Sequence, residues 1–264
     1  MRFRYLRLQL CRPQLYLRKF TNSKHRYKFS YRYFAFAKSL TGSIISIPLL
    51  LFYIAGCKKD QPVPPINYGY NYFPNNIGHW VVYHCDSIVY DAFNDNIYSY
   101  SYYLEEVINS YITDNSGRQT QLVYRYYRDT PTANWQLKKI WTANLTNTDA
   151  ERVEDNIRYV KLTFPAQMNA SEWNGNEFNT LPAWQYQYTA VDVPITLNNI
   201  FFDSTLTVLQ FSNVNLLQNQ FYEEQYARNT GLIYKQIIDL TAPGIDSPMR
   251  GGVMYYQTYV ASGN

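Results

Sequence analysis

From residue 72 onward, short runs of Tyr, Val, Ile and Thr alternate with clusters of Asn, Asp, Gly and Pro. That is the pattern of β-strands joined by tight turns. The run Trp184-Gln185-Tyr186-Gln187-Tyr188-Thr189-Ala190-Val191 sets the period most clearly. Aromatic and polar residues alternate over its first six positions, so one face is aromatic and the other wet. Two hairpins are predicted: Asp114-Asn115-Ser116-Gly117 turns between residues 106–113 and 119–128, and Asn229-Thr230-Gly231 turns between 221–228 and 232–240. Asn and Gly tolerate the positive φ that such turns require. Further strands are expected at residues 80–90, 135–145, 157–164, 205–211 and 252–260, with short helices at 150–156 and 213–220. The expected fold class is all-β, an antiparallel barrel or half-barrel, because closure removes the edges that Tyr-rich strands would otherwise expose.

The number of units is left open by a weak echo. Phe73-Pro74 is followed after five residues by Trp80, and Phe164-Pro165 after seven residues by Trp173, with 91 residues between the two Phe-Pro pairs. Residues 72–264 are therefore either one β domain or two similar tandem units with halves 72–163 and 164–264.

Charge separates the first 56 residues from the rest. They hold 11 of the 24 Lys and Arg and none of the 20 Asp and Glu, so the net +4 of the whole chain becomes −7 from residue 57 onward. An acidic domain argues against a nucleic-acid partner. Ile44-Ile45-Ser46-Ile47-Pro48-Leu49-Leu50-Leu51-Phe52-Tyr53-Ile54-Ala55 follows the last of these basic residues, Lys38, and is too short to span a bilayer as a helix. It ends in Ile54-Ala55-Gly56-Cys57, which resembles the lipobox of bacterial lipoproteins. The resemblance implies cleavage between Gly56 and Cys57, a diacylglyceryl group on the Cys57 thiol, and membrane lipid as the partner of that residue. Lys58-Lys59-Asp60-Gln61-Pro62-Val63-Pro64-Pro65 reads as an extended tether. Its start, Cys-Lys-Lys-Asp, resembles lipoproteins of the Bacteroidota; Lys58 rather than Asp after the cysteine, with Asp60 the only acid nearby, points to the outer membrane, on either its periplasmic or its surface face. The chain thus divides into a basic prefix and signal (1–56), a lipidated tether (57–71) and a β domain (72–264). Residues 1–37 are read as an over-extended gene start, a long basic leader or a membrane-surface segment.

Tyr72-Phe73-Pro74-Asn75-Asn76-Ile77-Gly78-His79-Trp80, Asp86-Ser87-Ile88-Val89-Tyr90-Asp91, Trp173-Asn174-Gly175-Asn176 and Gly231-Leu232-Ile233-Tyr234-Lys235 resemble the landmarks of a group of Bacteroidota lipoproteins. That group brings no activity with it. Nor do the residues themselves. Past the signal only His79 and His84 could serve as a histidine base, and their odd spacing on one strand points them to opposite faces. No metal-ligand spacing, phosphate loop or cofactor motif occurs, so neither metal nor cofactor is expected. Glu105-Glu106 and Glu223-Glu224 are neighbours that face opposite ways on a strand, so neither pair alone makes a glycosidase site. Cys85 is left without a disulfide partner and is expected to be buried. Two tripeptides, Asp86-Ser87-Ile88 and Asp203-Ser204-Thr205, resemble Bacteroidota O-glycosylation sites and make Ser87 and Ser204 the candidates.

The excess is in aromatic residues, with 28 Tyr in the chain. Aromatic faces stack on sugars or line apolar cavities. The sequence therefore favours a non-enzymatic envelope module, binding or structural, with Trp80, Trp173, Trp184 and Tyr186 as candidate contacts for a glycan or apolar ligand. The alternative is a glycan hydrolase that draws its carboxylates from separate strands.

Overall fold

In the computed structural model, residues 66–264 are described; the lipobox, Cys57 and the basic prefix lie outside them. Six strands form a first meander: β1 (Trp80–Asp91), β2 (Asn96–Thr113), β3 (Gln119–Arg128), β4 (Gln136–Leu145), β5 (Asp149–Glu154) and β6 (Ile157–Thr163). Six more form a second: β7 (Trp173–Asn174), β8 (Gln185–Leu197), β9 (Ile200–Val214), β10 (Gln218–Ala227), β11 (Gly231–Thr241) and β12 (Gly251–Gly263). All pairs are antiparallel, in the order β6-β5-β4-β3-β2-β1-β12-β11-β10-β9-β8-β7. The two outermost strands then meet. The Val160 N–H of β6 donates to the Gly175 carbonyl just after β7 at 2.9 Å, and the Trp173 indole donates to the Val160 carbonyl at 3.0 Å. The sheet is a nearly closed twelve-stranded barrel. The boundary at residue 164 falls between its two meanders.

The expected strands are all present, most of them longer than read. The helix expected at 150–156 is instead β5 and the turn after it. Ala, Glu and Arg favour helix, but Ala150 and Arg152 pair with both β4 and β6, and Glu154 pairs with Ile157 of β6. Their inward face is charged, so the alternation carries no hydrophobic signal. The helix expected at 213–220 is instead the end of β9, a turn over residues 215–217 and the start of β10; in the turn the Asn215 side chain accepts from the Leu217 and Gln218 amides at 2.9 and 3.0 Å.

One pole of the barrel is capped by the segment entering β1. Gly69, at φ 85°, begins a 3-10 turn over Tyr70–Tyr72 that binds turns from both meanders. The Tyr70 hydroxyl donates to the Asn147 carbonyl at 2.9 Å, and the Asn229 amide donates to the Asn71 carbonyl at 2.7 Å. Tyr72 is fully buried, with its hydroxyl 2.7 Å from Asp192 Oδ1 and the Arg228 guanidinium 4.4 Å over its ring. Residues 69–71, inside the segment read as tether, thus belong to this cap.

Beneath the cap lies the apolar core, including Val81, Tyr83, Leu104, Val123, Leu162, Leu206 and Tyr226. The described residues cluster as one unit, and every ladder closes within residues 80–263. The outer face of β1 and β2 carries exposed Asp86, Ser99 and Ser101, which suits water rather than the apolar band of a membrane-spanning barrel.

Candidate functional site

Eight strands close a barrel that side chains just fill, whereas sixteen leave a channel. Twelve strands leave a space that the apolar core fills only at the capped pole. Toward the other pole the lumen is a chamber of about 530 Å³. Strand registers set its wall: Cys85 faces Tyr102 and Gln257, Glu106 faces Arg125, and Arg152 faces Tyr159, all pointing inward. Trp141 lies under the Arg125 guanidinium at 3.5 Å, and Tyr102, Tyr127, Tyr159 and Tyr255 complete an aromatic lining.

The chamber is crossed by two groups of ions. Glu106 accepts from Arg125 at 2.8 Å and Arg152 at 2.5 Å. Lys161 reaches Glu154 and Glu224, each at 2.9 Å, and Lys235 reaches the same two carboxylates at 3.6 and 3.1 Å. Burial opposes ionisation of Glu106, but the charges of Arg152 and Arg125 outweigh it and hold the carboxyl below its ordinary range. Burial likewise opposes the charged forms of Glu154 and Glu224, and Lys161 and Lys235 reverse the balance for both. In Lys161 desolvation is outweighed by the two carboxylates, so the ammonium holds its proton more tightly than usual. The Tyr226 hydroxyl donates to Glu224 at 2.6 Å.

Glu154 and Glu224 touch one ammonium from different strands, so their nearest oxygens lie no more than about 6 Å apart, close enough for a carboxyl pair of the glycosidase kind to be considered. Their electrostatics differ from that mechanism. A glycosidase needs one carboxyl kept protonated near neutrality, and here both are driven toward the ionised form. Glu105 and Glu223, whose carboxyls burial pushes up, stand on the opposite faces of β2 and β10 from Glu106 and Glu224.

A second chamber of about 310 Å³ shares Glu154, Tyr159, Lys161, Lys235 and Ile237 with the first. Trp184 and Tyr186 line it together. Trp184 stacks on Phe211 at 4.5 Å and meets Tyr222 edge-on at 4.8 Å. The other two candidate aromatics stand elsewhere: Trp173 packs on Tyr186 and Tyr188 at the β6–β7 seam, and Trp80 lies against Gly263 beside the capped pole.

His79 precedes β1 rather than lying on it. Its ring is buried beneath the cap, 2.7 Å from Asn264 Oδ1 and 3.0 Å from the Thr230 carbonyl. His84 faces outward against Ser101 at 2.9 Å. Cys85 is fully buried, and desolvation pushes its thiol up to about 12. Ser87 is two residues from Cys85 on the same inward face of β1. The Ser204 hydroxyl is held by Asp192 at 2.6 Å and by Arg228 at 2.8 Å. Among the described residues no group of three His, Cys, Asp or Glu is placed to hold a metal ion.

Sequence reasoning named Glu106 and Glu224 only within acid pairs that it set aside, and it missed Arg125, Arg152, Glu154, Lys161 and Lys235. The available signal was charge at inward positions of strands: Arg125, Arg152 and Lys161 each occupy a period-two position that an ordinary barrel core fills with an apolar residue.

Neither any family model nor any curated protein matches the sequence. Two solved structures are similar at low identity. A protein described as exported, with a YmcC-like fold, from Bacteroides fragilis is 9% identical with a TM-score of 0.40. A protein described as a lipoprotein from Parabacteroides distasonis is 14% identical with a TM-score of 0.37. Each match covers 73% of this chain and 98% of the other. The barrel assignment rests on the strand order above.

Proposed function

We propose that this protein is a lipid-anchored module of the cell envelope whose barrel lumen binds a small ligand. The observation that carries this reading is the chamber itself. Its volume of about 530 Å³ lies within the span of ligand sites, about 300–1,000 Å³. Its walls combine aromatic rings with charged side chains held in ion pairs, so a ligand would meet stacking faces and hydrogen-bonding groups together. It lies away from the capped pole, beside the exposed pair of Lys139, near the start of β4, and Asp155, in the β5–β6 turn.

The anchor follows from the lipobox and Cys57. A diacylated thiol holds a domain on a membrane, because two chains anchor stably where one binds reversibly. The prolines after Cys57 separate that anchor from the barrel. The outer membrane is the compartment that the Cys-Lys-Lys-Asp start supports.

The hydrolase reading has one observation in its favour, the closeness of Glu154 and Glu224, and their shared lysines count against it. A screen of glycans and amphiphiles against residues 60–264, followed by Trp141→Ala in the first chamber and Trp184→Ala in the second, tests the proposal. Binding that either change weakens supports it. A blank binding screen accompanied by turnover of a polysaccharide would show the hydrolase reading to be the better one.

A further inference from the structure

The lumen has the opposite charge to the protein around it. Six basic residues line the first chamber, Arg125, Lys138, Lys139, Arg152, Lys161 and Lys235, against four acids, Glu106, Glu154, Asp155 and Glu224. Elsewhere acids dominate, since the chain from residue 57 onward balances at −7. The two lysines and two glutamates at the shared wall cancel. The excess sits beside them, where Arg125 and Arg152 divide the one carboxylate of Glu106. At the rim Lys139 is paired with Asp155 at 2.6 Å, whereas Lys138 lies 5.0 Å over the Tyr127 ring. A surplus cation in a low-dielectric lumen is costly unless an anion meets it.

Hydrogen-bond donors point the same way. Arg152 Nε and Gln257 Nε2, both in the first chamber, and Gln210 Nε2, in the second, are buried without a partner. Gln257 is 2% exposed and Gln210 4%. The Gln257 Oε1 is already occupied by the Tyr255 hydroxyl at 2.8 Å, so its amide N–H groups are what remain to be satisfied. Buried donors are ordinarily all bonded. Three left open in one lumen, all of them donors, ask for acceptor atoms from outside the chain.

We propose that the first chamber binds an organic oxyanion, a carboxylate or sulfate carried on a sugar ring or an acyl chain, with its anionic group against Arg152 and Gln257. This rests on the lumenal reading above and adds the ligand's chemistry to it. The oxyanion neutralises the surplus of the Arg125–Glu106–Arg152 triad and accepts from both open donors in one step. Trp141, Tyr102 and Tyr127 then take the body of the ligand. Gln210 offers a further N–H to a ligand long enough to reach the second chamber.

Calorimetry on residues 60–264 with two matched pairs tests the proposal: a galacturonic acid disaccharide against a neutral galactose disaccharide, and octanoate against octanol. The anionic member of at least one pair is expected to bind ten-fold or more tightly than its neutral partner, and the pair that does so identifies the body of the ligand. Gln257→Leu should weaken the anion at least five-fold, and Glu106→Gln, which adds to the positive surplus, should tighten it. Should Glu106→Gln fail to fold, Gln257→Leu decides alone: it removes the two open N–H groups and, within the protein, only the Oε1 that accepts from Tyr255, whose hydroxyl also lies 3.4 Å from Cys85 Sγ. Equal binding of the neutral member, or indifference to Gln257→Leu in a protein that Trp184→Ala or Trp141→Ala does impair, overturns the oxyanion and leaves the lumenal site standing. Binding that none of these changes affects removes the lumenal site as well. No binding by any of the four probes overturns the proposal.

Discussion

Glu224→Gln isolates how strongly the lumenal ions hold the barrel. Glu224 is 1% exposed and accepts from Lys161, Lys235 and the Tyr226 hydroxyl at 2.9, 3.1 and 2.6 Å. The amide keeps the shape and removes the charge, leaving two ammonium groups to share Glu154. Breaking a buried pair by removing one partner costs about 3–5 kcal/mol, because the remaining charge stays buried and uncompensated. Against a total stability of about 5–15 kcal/mol, that is a large fraction. Urea unfolding of residues 60–264, followed by tryptophan fluorescence, should show a lower midpoint with an unchanged slope. Adding Lys161→Met restores charge balance, so the double variant should lose less than the two single losses combined. The same ions set an acid limit. The Glu224 carboxyl lies below its ordinary 4.5 when folded, so its contribution is fully present above that pH and is lost as pH falls below it. A loss under about 1 kcal/mol for Glu224→Gln, or strict additivity in the double variant, would refute the view that these ions are mutually compensating.

Three further outcomes follow from single residues. Cys57→Ala should leave the protein unprocessed or released from the membrane fraction, as read by fractionation and by the mass of the N-terminal peptide. Gly175→Ala would place a Cβ 2.2 Å from the Tyr186 ring, which is itself 2% exposed, and should cost about 1–3 kcal/mol in thermal or urea unfolding through overpacking. The Cys85 thiol, buried and pushed up to about 12, should react with a thiol reagent only after unfolding, so rapid labelling of the native protein would contradict its placement.

Much of the barrel was legible because its strands are punctuated. Asn115 and Gly117, like Asn229 and Gly231, mark two hairpins that the structure contains, and the run from Trp184 to Tyr188 announces β8 through its period. The strand β5 was not legible, since Arg152 and Glu154 face inward and a hydrophobic alternation cannot register charges that pair inside the fold. The candidate site was hidden for the same reason. Glu106 and Arg125 are adjacent only through the β2–β3 register, and Lys161 meets Glu224 only because the two meanders curl around one axis. Trp184 and Tyr186 could be singled out from alternation alone, but nothing in that alternation separates a chamber wall from the seam that holds Trp173.

The circular strand order also bears on how the barrel is assembled. Consecutive strands join through connections between neighbours in sequence, except β1 and β12, which bring Trp80 to Gly263 across most of the domain. Closing so long a loop has an entropic cost that hairpins escape, so the β1–β12 ladder is expected to form after the hairpins, which low φ-values for substitutions at Val81 and Tyr259 would check. Until then Glu154 and Lys161 belong to one meander and Glu224 and Lys235 to the other. Each half alone carries one carboxylate and one ammonium of that four-ion group, and the group is completed only when the halves meet. Completion of the four-ion group thus coincides with ring closure, so the charges that line the chamber also report that the ring has closed correctly.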